Sequence, residues 1–372
     1  MKRRKIDKPS TPLCLDVIGE IISFLENQQT FFNVAILNSS VWYYVNNEYP
    51  ECARNVYFEI DRLLEEKVGF INRAKLKFYV TDEQLKYFGG IKELNILYSM
   101  NITNEGLKYL SGIKYLYLNS NDKITNEGLK YLSRIKYLDL GSNEGIRNEG
   151  LKYLTGIKHL KLDNNDQITD EGLEYLSGIK HLELDYNYQI TDKGLKHLTG
   201  IEHLDLYFNN NITDEGLKYL SGIKHLELHY NVNITDKGLK YLTGIIYLDL
   251  GYNDEITDEG LKYLSGIKHL NLCHDEKITD EGLKNLTGIQ KLDLCQNKNI
   301  TDEGLKYLSG IKELILSMNE NITDEGLKHL GGIQSLYLES NTNITVKGVK
   351  YLSVIKDFVL DDIRINCNIE WN

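Results

Sequence analysis

Three columns of chemically capable residues run through this chain between positions 139 and 293, each with its members 22 positions apart. One column holds His159, His181, His203, His225, Tyr247 and His269. Two residues further on lie Asp139, Lys161, Glu183, Asp205, Glu227, Asp249, Asn271 and Asp293, and three further still come Tyr186, Phe208, Tyr230 and Tyr252. Carboxylates placed side by side repel one another, and a purely structural repeat has no need of them. Two readings follow from the residues alone. The columns are either a solvated face that alternates His with acid for solubility, or a site for a basic segment. In the second reading the carboxylates pair Lys or Arg, while the aromatic rings stack on guanidinium groups or cover apolar stems. That site is placed where all three columns coincide: His181, Glu183 and Tyr186; His203, Asp205 and Phe208; His225, Glu227 and Tyr230; Tyr247, Asp249 and Tyr252. Protonating the His column is then expected to weaken capture of a cation below about pH 6.

Other chemistry is harder to assemble. The five cysteines are scattered without a CxxC pair, so free thiols are expected rather than a disulfide framework or a zinc motif. Cys273 and Cys295 fall in one column near His269 and His274, but no second pair supports a soft-metal site, and no metal or cofactor is expected. The serines lie at helix ends while the histidines line strands, and neither a Gly-rich phosphate loop nor HExxH occurs. The chain is therefore read as no enzyme.

The elements that must position these columns follow from one repeat. Starting at Val80-Thr81 and Ile102-Thr103, thirteen units run from about 80 to 365 without insertion, and ITDEGLKYLSGIKHLELHYNVN at 212–233 is typical. Such strict spacing means a stacked solenoid. Within a unit, Thr at position 2 is a helix N-cap, the acids after it complement the helix dipole, and Lys218 stands four residues after Asp214. Leu at positions 6 and 9 points inward, and Gly at position 11 ends a helix of about two turns in a left-handed conformation. The period then changes to two: Ile223, Leu226 and Leu228 form the apolar face of a short strand whose other face carries the columns. Lys at positions 7 and 13 reads as solvated. The Asn-x-Thr triplets, such as Asn211-Ile212-Thr213, recur because the repeat recurs.

Composition sets outer limits. No apolar run is long enough to span a membrane, and the basic start MKRRKIDKPSTPLC leads into a stretch interrupted by Asp16 and Glu20, so an intracellular protein is expected. Of the net charge of −11, residues 1–79 contribute +1 and the rest −12, which argues against nucleic-acid binding. Richness in Ile, Asn, Lys and Tyr with three prolines suggests an AT-rich genome, such as that of an amoeba or a large virus infecting one. The location expected is the cytoplasm, with the nucleus or an infected host cell as variants.

The string IxxLxLxxN followed by ITDEGLxxL resembles the leucine-rich repeat, in particular the cysteine-containing subtype, here with Asn at the Cys position. The resemblance implies an α/β solenoid: a horseshoe with parallel strands on the concave face, short helices on the convex face and an Asn ladder through its turns. Ser99, Asp275 and Ile363 would be weak rungs. The strand stack would extend about 60 Å at ~4.8 Å per strand.

Ahead of the repeats, LCLDVIGEIISFL and FFNVAILNSSVWYYV read as three short helices and are similar to the F-box. Cys14 stands where that motif has proline, and Ile36-Leu37-Asn38 replaces its basic stretch. The resemblance implies adaptor contact through Leu13, Leu15, Asp16, Val17, Ile18, Glu20, Ile21, Leu25 and Trp42. Read from the residues alone, the same helices could simply cap the solenoid core. The expected organisation is a flexible basic tip over 1–12, an F-box-like module over 13–50, a connecting segment over 51–79 with Leu76 and Phe78 in a first irregular strand, the repeats over 80–365 and a cap over 366–372. Together the resemblances imply the substrate-recognition subunit of an SCF-type cullin-RING ubiquitin ligase. An adaptor with its cullin complex and a protein target are its partners; nucleic acid and membrane are not. The alternative is a non-enzymatic repeat scaffold with a helical cap and no ligase link.

Overall fold

The computed structural model describes residues 57–60, 72–76, 80–96, 100–360 and 363–366. The basic tip, the helices expected over 13–50 with all their adaptor-contact residues, Phe78, Ser99 and nearly all of the expected cap lie outside them. The chain divides into two compact units, one ending at Gly145 and one starting at Ile146.

The first unit holds β1 (Tyr57–Ile60), β2 (Arg73–Leu76), β3 (Glu93–Ile96), β4 (Tyr115–Tyr117) and β5 (Tyr137–Asp139). All pair in parallel in sequence order. Its first two strands come from the connecting segment, and Leu76 is buried at the end of β2. The second unit continues with β6 (His159–Lys161), β7 (His181–Glu183), β8 (His203–Asp205), β9 (His225–Glu227), β10 (Tyr247–Asp249), β11 (His269–Asn271), β12 (Lys291–Asp293), β13 (Glu313–Ile315), β14 (Ser335–Tyr337) and β15 (Asp357–Leu360). These too are parallel and stay in register, so His203 lies beside His225 and Asp205 beside Glu227. Ile363 is not a rung: it begins β16 (Ile363–Asn366), which turns back antiparallel along β15 and pairs Leu360 with Ile363. Among the described residues no helix is long and apolar enough to cross a membrane.

A single unit shows why the chain folds this way. Thr213 caps the helix Asp214–Leu217 by accepting the Glu215 amide at 3.2 Å, and Lys218–Leu220 tightens into a 3-10 turn. Gly222, at φ +87°, lets the Ile223 amide reach the Leu220 carbonyl and turn the chain into the strand. So short a helix has no stability of its own. Burial supplies it: Ile212, Leu217, Leu220, Ile223, Leu226 and Leu228 are all essentially inaccessible, each worth about 1.5–3 kcal/mol.

Three polar ladders join neighbouring units. The expected Asn ladder is present: Asn231 Nδ2 donates to the Leu206 carbonyl at 2.8 Å, and Asn253 Nδ2 to that of Leu228 at 3.0 Å. A second ladder corrects the pairing expected for Asp214, whose carboxylate turns to the next unit and accepts from the Thr235 amide (2.8 Å) and hydroxyl (2.6 Å). Lys218 pairs instead with Glu215 at 2.9 Å. The third explains the Asn-x-Thr triplets, because Asn211 Nδ2 donates to the Tyr188 carbonyl (2.8 Å) just before Thr213 caps its helix. The position-13 lysines are likewise more than solvated, since Lys180 Nζ donates to the Gly200 carbonyl at 3.0 Å.

The second ladder dictates the glycine at position 5. A Cβ on Gly216 would stand 2.4 Å from Asp192 Oδ1, which accepts the Thr213 amide at 2.8 Å. Alanine is the better helix former by about 1 kcal/mol, yet Gly216→Ala is expected to cost a net ~1–3 kcal/mol by breaking that contact. Thermal unfolding checks this; a midpoint raised above that of the parent chain would contradict it.

Candidate interaction surface

Apart from Asp139, all three columns lie in the second unit. The first and third residues of each strand face away from the core while the middle Leu is buried, so β7, β8 and β9 each present a His-Leu-acid triplet with His and acid outward. The His column is a continuous ring stack: His159–His181 centroids are 4.4 Å apart, and His181–His203, His203–His225 and His225–Tyr247 are each 3.7 Å apart. The stack ends at His269, which meets Tyr247 edge-on at 6.1 Å.

The aromatic column is also real, but it stands beyond the strands. Tyr186, Phe208, Tyr230 and Tyr252 occupy left-handed turn positions with φ between 54° and 61°, a conformation that bulky residues adopt rarely. Their rings stack in sequence at 5.3, 4.3 and 4.2 Å, and His274 extends the column at 3.9 Å from Tyr252. His274 is thus engaged with Tyr252, while Cys273 and Cys295 are free cysteines on neighbouring turns. Among the described residues no third ligand atom joins the two thiols within 4.8 Å.

The carboxylates are not equivalent. Burial works against the charge of Glu183, but hydrogen bonds from His181 (3.1 Å) and Lys161 (2.6 Å) hold its carboxyl at about 2. Asp249 is buried and already satisfied, accepting from His229 Nδ1, the Gly251 amide and Asn271 Nδ2, each at 2.9 Å. Asp205 is the opposite case. Burial first, then Asp185 against it and Glu227 beside it, push its carboxyl up to about 9, and Asp185 rises too. Asp185 Oδ1 is buried without a hydrogen-bond partner, and each carboxyl disfavours the other's charge, so the two titrate as a pair. Among the described residues Glu227 bonds to His225 alone, at 3.1 Å, and Asp205 Oδ1 accepts the Tyr207 amide at 3.0 Å. No basic side chain pairs with either carboxyl among the described residues, apart from the His225 ring on Glu227.

Burial, then the flanking His225 and His181 rings, lower His203 to about 3, and burial lowers His159 as well, so these two rings resist protonation.

The intervening column, Asp185, Tyr207 and His229, belongs to the same face and was missed in the sequence because its residue types differ from unit to unit. Gly251 makes room in it: a Cβ there would stand 2.6 Å from His229 Nδ1, so the missing side chain lets that ring reach Asp249. The signal was a glycine at a strand end where neighbouring units carry His229 and Cys273.

The profile of the family described as Leucine Rich repeat matches eight segments, 113–133, 135–154, 157–177, 197–221, 223–242, 245–265, 289–309 and 311–331. No curated protein matches the sequence. Among solved structures, the chain is similar to an internalin from Listeria monocytogenes, with 25% identity and a TM-score of 0.56 over 75% of this chain and 88% of that one. It is similar to a chain of the Toll–Spatzle complex of Drosophila at 14% identity and a TM-score of 0.55, over 82% of this chain but only 50% of that one. A chain of the Rad7–Elc1 complex in yeast aligns at 17% identity and a TM-score of 0.45, over 72% of this chain and 81% of that one.

Proposed function

Because the chain is built of leucine-rich repeats, we propose that it is a non-enzymatic interaction protein whose strand face captures a protein target through a basic segment. The observation that carries this reading is Asp205 beside Glu227 on neighbouring strands, flanked by the stacked rings of Phe208 and Tyr230. A Lys or Arg entering there would supply the charge that lets Asp205 ionise and would gain charge-assisted hydrogen bonds, while the rings cover its stem. Glu183, held by Lys161, and Asp249, held by His229, flank the pair as supports rather than as docking groups.

The finer part of the proposal concerns what capture is for. The F-box resemblance in residues 13–50 makes the chain a substrate-recognition subunit of an SCF-type ubiquitin ligase, working in the cytoplasm. In this reading the leading helices dock the adaptor and cullin complex, and the repeats present the target. Support for it comes from Asp16, Val17, Glu20, Ile21, Leu25 and Trp42 at motif positions.

One deletion tests the ligase half. Removing residues 1–50 is expected to abolish association with an SCF adaptor in affinity capture, with circular dichroism showing the repeats still folded. Adaptor binding that survives the deletion, or is absent from the intact chain, would sink the ligase reading and leave the scaffold reading standing.

A further inference from the structure

All nine histidines lie between His159 and His329, and five of them begin a strand. Two features of the stack are unexplained by a basic ligand. His203 finds no hydrogen-bond partner among the described residues, and a Lys or Arg needs only the carboxylates. Imidazole nitrogens and a carboxylate converging at one place suit a different guest. One ligand nitrogen from His203, one from His225 and an oxygen of Glu227 all lie within 4.8 Å of one another.

We propose that this face binds a single transition-metal dication of the zinc class through His203, His225 and Glu227. The His-Leu-acid triplet repeated on β8 and β9 supplies the ligands, because parallel register puts His203 against His225 and Asp205 against Glu227. Tetrahedral zinc with nitrogen and oxygen ligands at about 2.0–2.1 Å needs its ligand atoms about 3.4 Å apart. The cluster must therefore close by roughly an ångström, and the two stacked rings must turn out of parallel so that both nitrogens aim at one ion. The rings are now nearly parallel, at 17°, and His225 Nε2 lies 3.1 Å from Glu227 Oε1; binding would replace that hydrogen bond with a metal bond to each group. Two neutral imidazoles and one carboxylate leave a net single positive charge, with the fourth position open to water. Two imidazole ligands favour a borderline cation over Ca²⁺ or Mg²⁺, which take oxygen shells. This site does not depend on capture of a basic segment, since it is complete in the free chain.

Cobalt(II) added to the full chain, cleared of metal beforehand, is the test. The expected result is a visible ligand-field band that saturates at one equivalent, disappears on adding zinc, and shows no thiolate-to-cobalt charge transfer. His203→Asn and Glu227→Gln, both at outward positions, are each expected to weaken binding by about tenfold or more. The paired change Cys273→Ser and Cys295→Ser should leave the band intact. No band in the parent chain, a band untouched by either ligand variant in a folded chain, or a band that vanishes with the cysteines would each overturn the assignment.

Discussion

Asp275→Asn is expected to raise the thermal unfolding midpoint at pH 7 by several degrees, with the gain gone near pH 4. Asp275 occupies a rung of the Asn ladder and is wholly buried. Its Oδ1 accepts the Asn253 amide at 3.0 Å, but Oδ2 has no partner. At this point the other rungs donate, as Asn253 and Asn319 do to the carbonyls of Leu228 and Leu294. A carboxylate has nothing to donate. Burial first, then Asp254 and Asp249, push the Asp275 carboxyl up to about 9, against the pull of the Asn253 amide. Below about pH 4 both folded and unfolded chains carry the proton and the residue costs nothing. As pH rises from there the unfolded chain ionises while the folded chain does not, so stability falls by at most about 1.4 kcal/mol per pH unit until the folded carboxyl itself titrates. The penalty at pH 7 is roughly 2–4 kcal/mol. Asparagine removes it, because its amide donates without having to hold a proton against the solvent. Melting curves of both chains at pH 4 and pH 7 decide the matter; a variant no more stable at pH 7, or one whose gain is the same at both values, would contradict the assignment.

How much of this was legible in the sequence depended on whether a residue acts within its unit or between units. Ile212, Leu217, Leu220, Leu226 and Leu228 could be placed from periodicity alone, because each is read against its own helix or strand. The outward columns followed from the same alternation. Contacts between units were misread where a local partner was also available: Asp214 and Lys218 stand four apart, but stacking brings the Thr235 amide to the carboxylate first. Gly216 makes sense only once that carboxylate is seen beside it. Protonation was the least legible property. Ring stacking and burial set the state of His203, and the contact with Asp185 sets that of Asp205; neither follows from residue type. Asp275 was recognised as a weak rung, though not as a protonated one.

Neutralising Asp205 and Glu227 together, as Asp205→Asn with Glu227→Gln, is expected to weaken binding of an arginine-rich peptide by roughly 10- to 100-fold. The substitutions keep the shapes of both side chains, so the loss reports charge rather than folding. Binding to the parent chain should weaken with added salt, because contacts at this half-exposed face are screened over about 8 Å at physiological ionic strength. It should strengthen as pH rises from 6 to 8. The cation favours the ionised form of the Asp185–Asp205 pair, whose proton is held more tightly in the free chain and is released on binding. Neutralisation at Asp205 should flatten that pH dependence.

The most direct measurement of the central claim compares two reversals by fluorescence anisotropy with the same labelled peptide. Asp205→Lys with Glu227→Lys changes the strand face, and Lys218→Glu with Lys240→Glu changes the helix face. Capture through the strand face requires that the first pair abolish binding and the second leave it intact in chains that remain folded. Binding indifferent to the first pair and lost with the second would put the site on the helices and contradict the account.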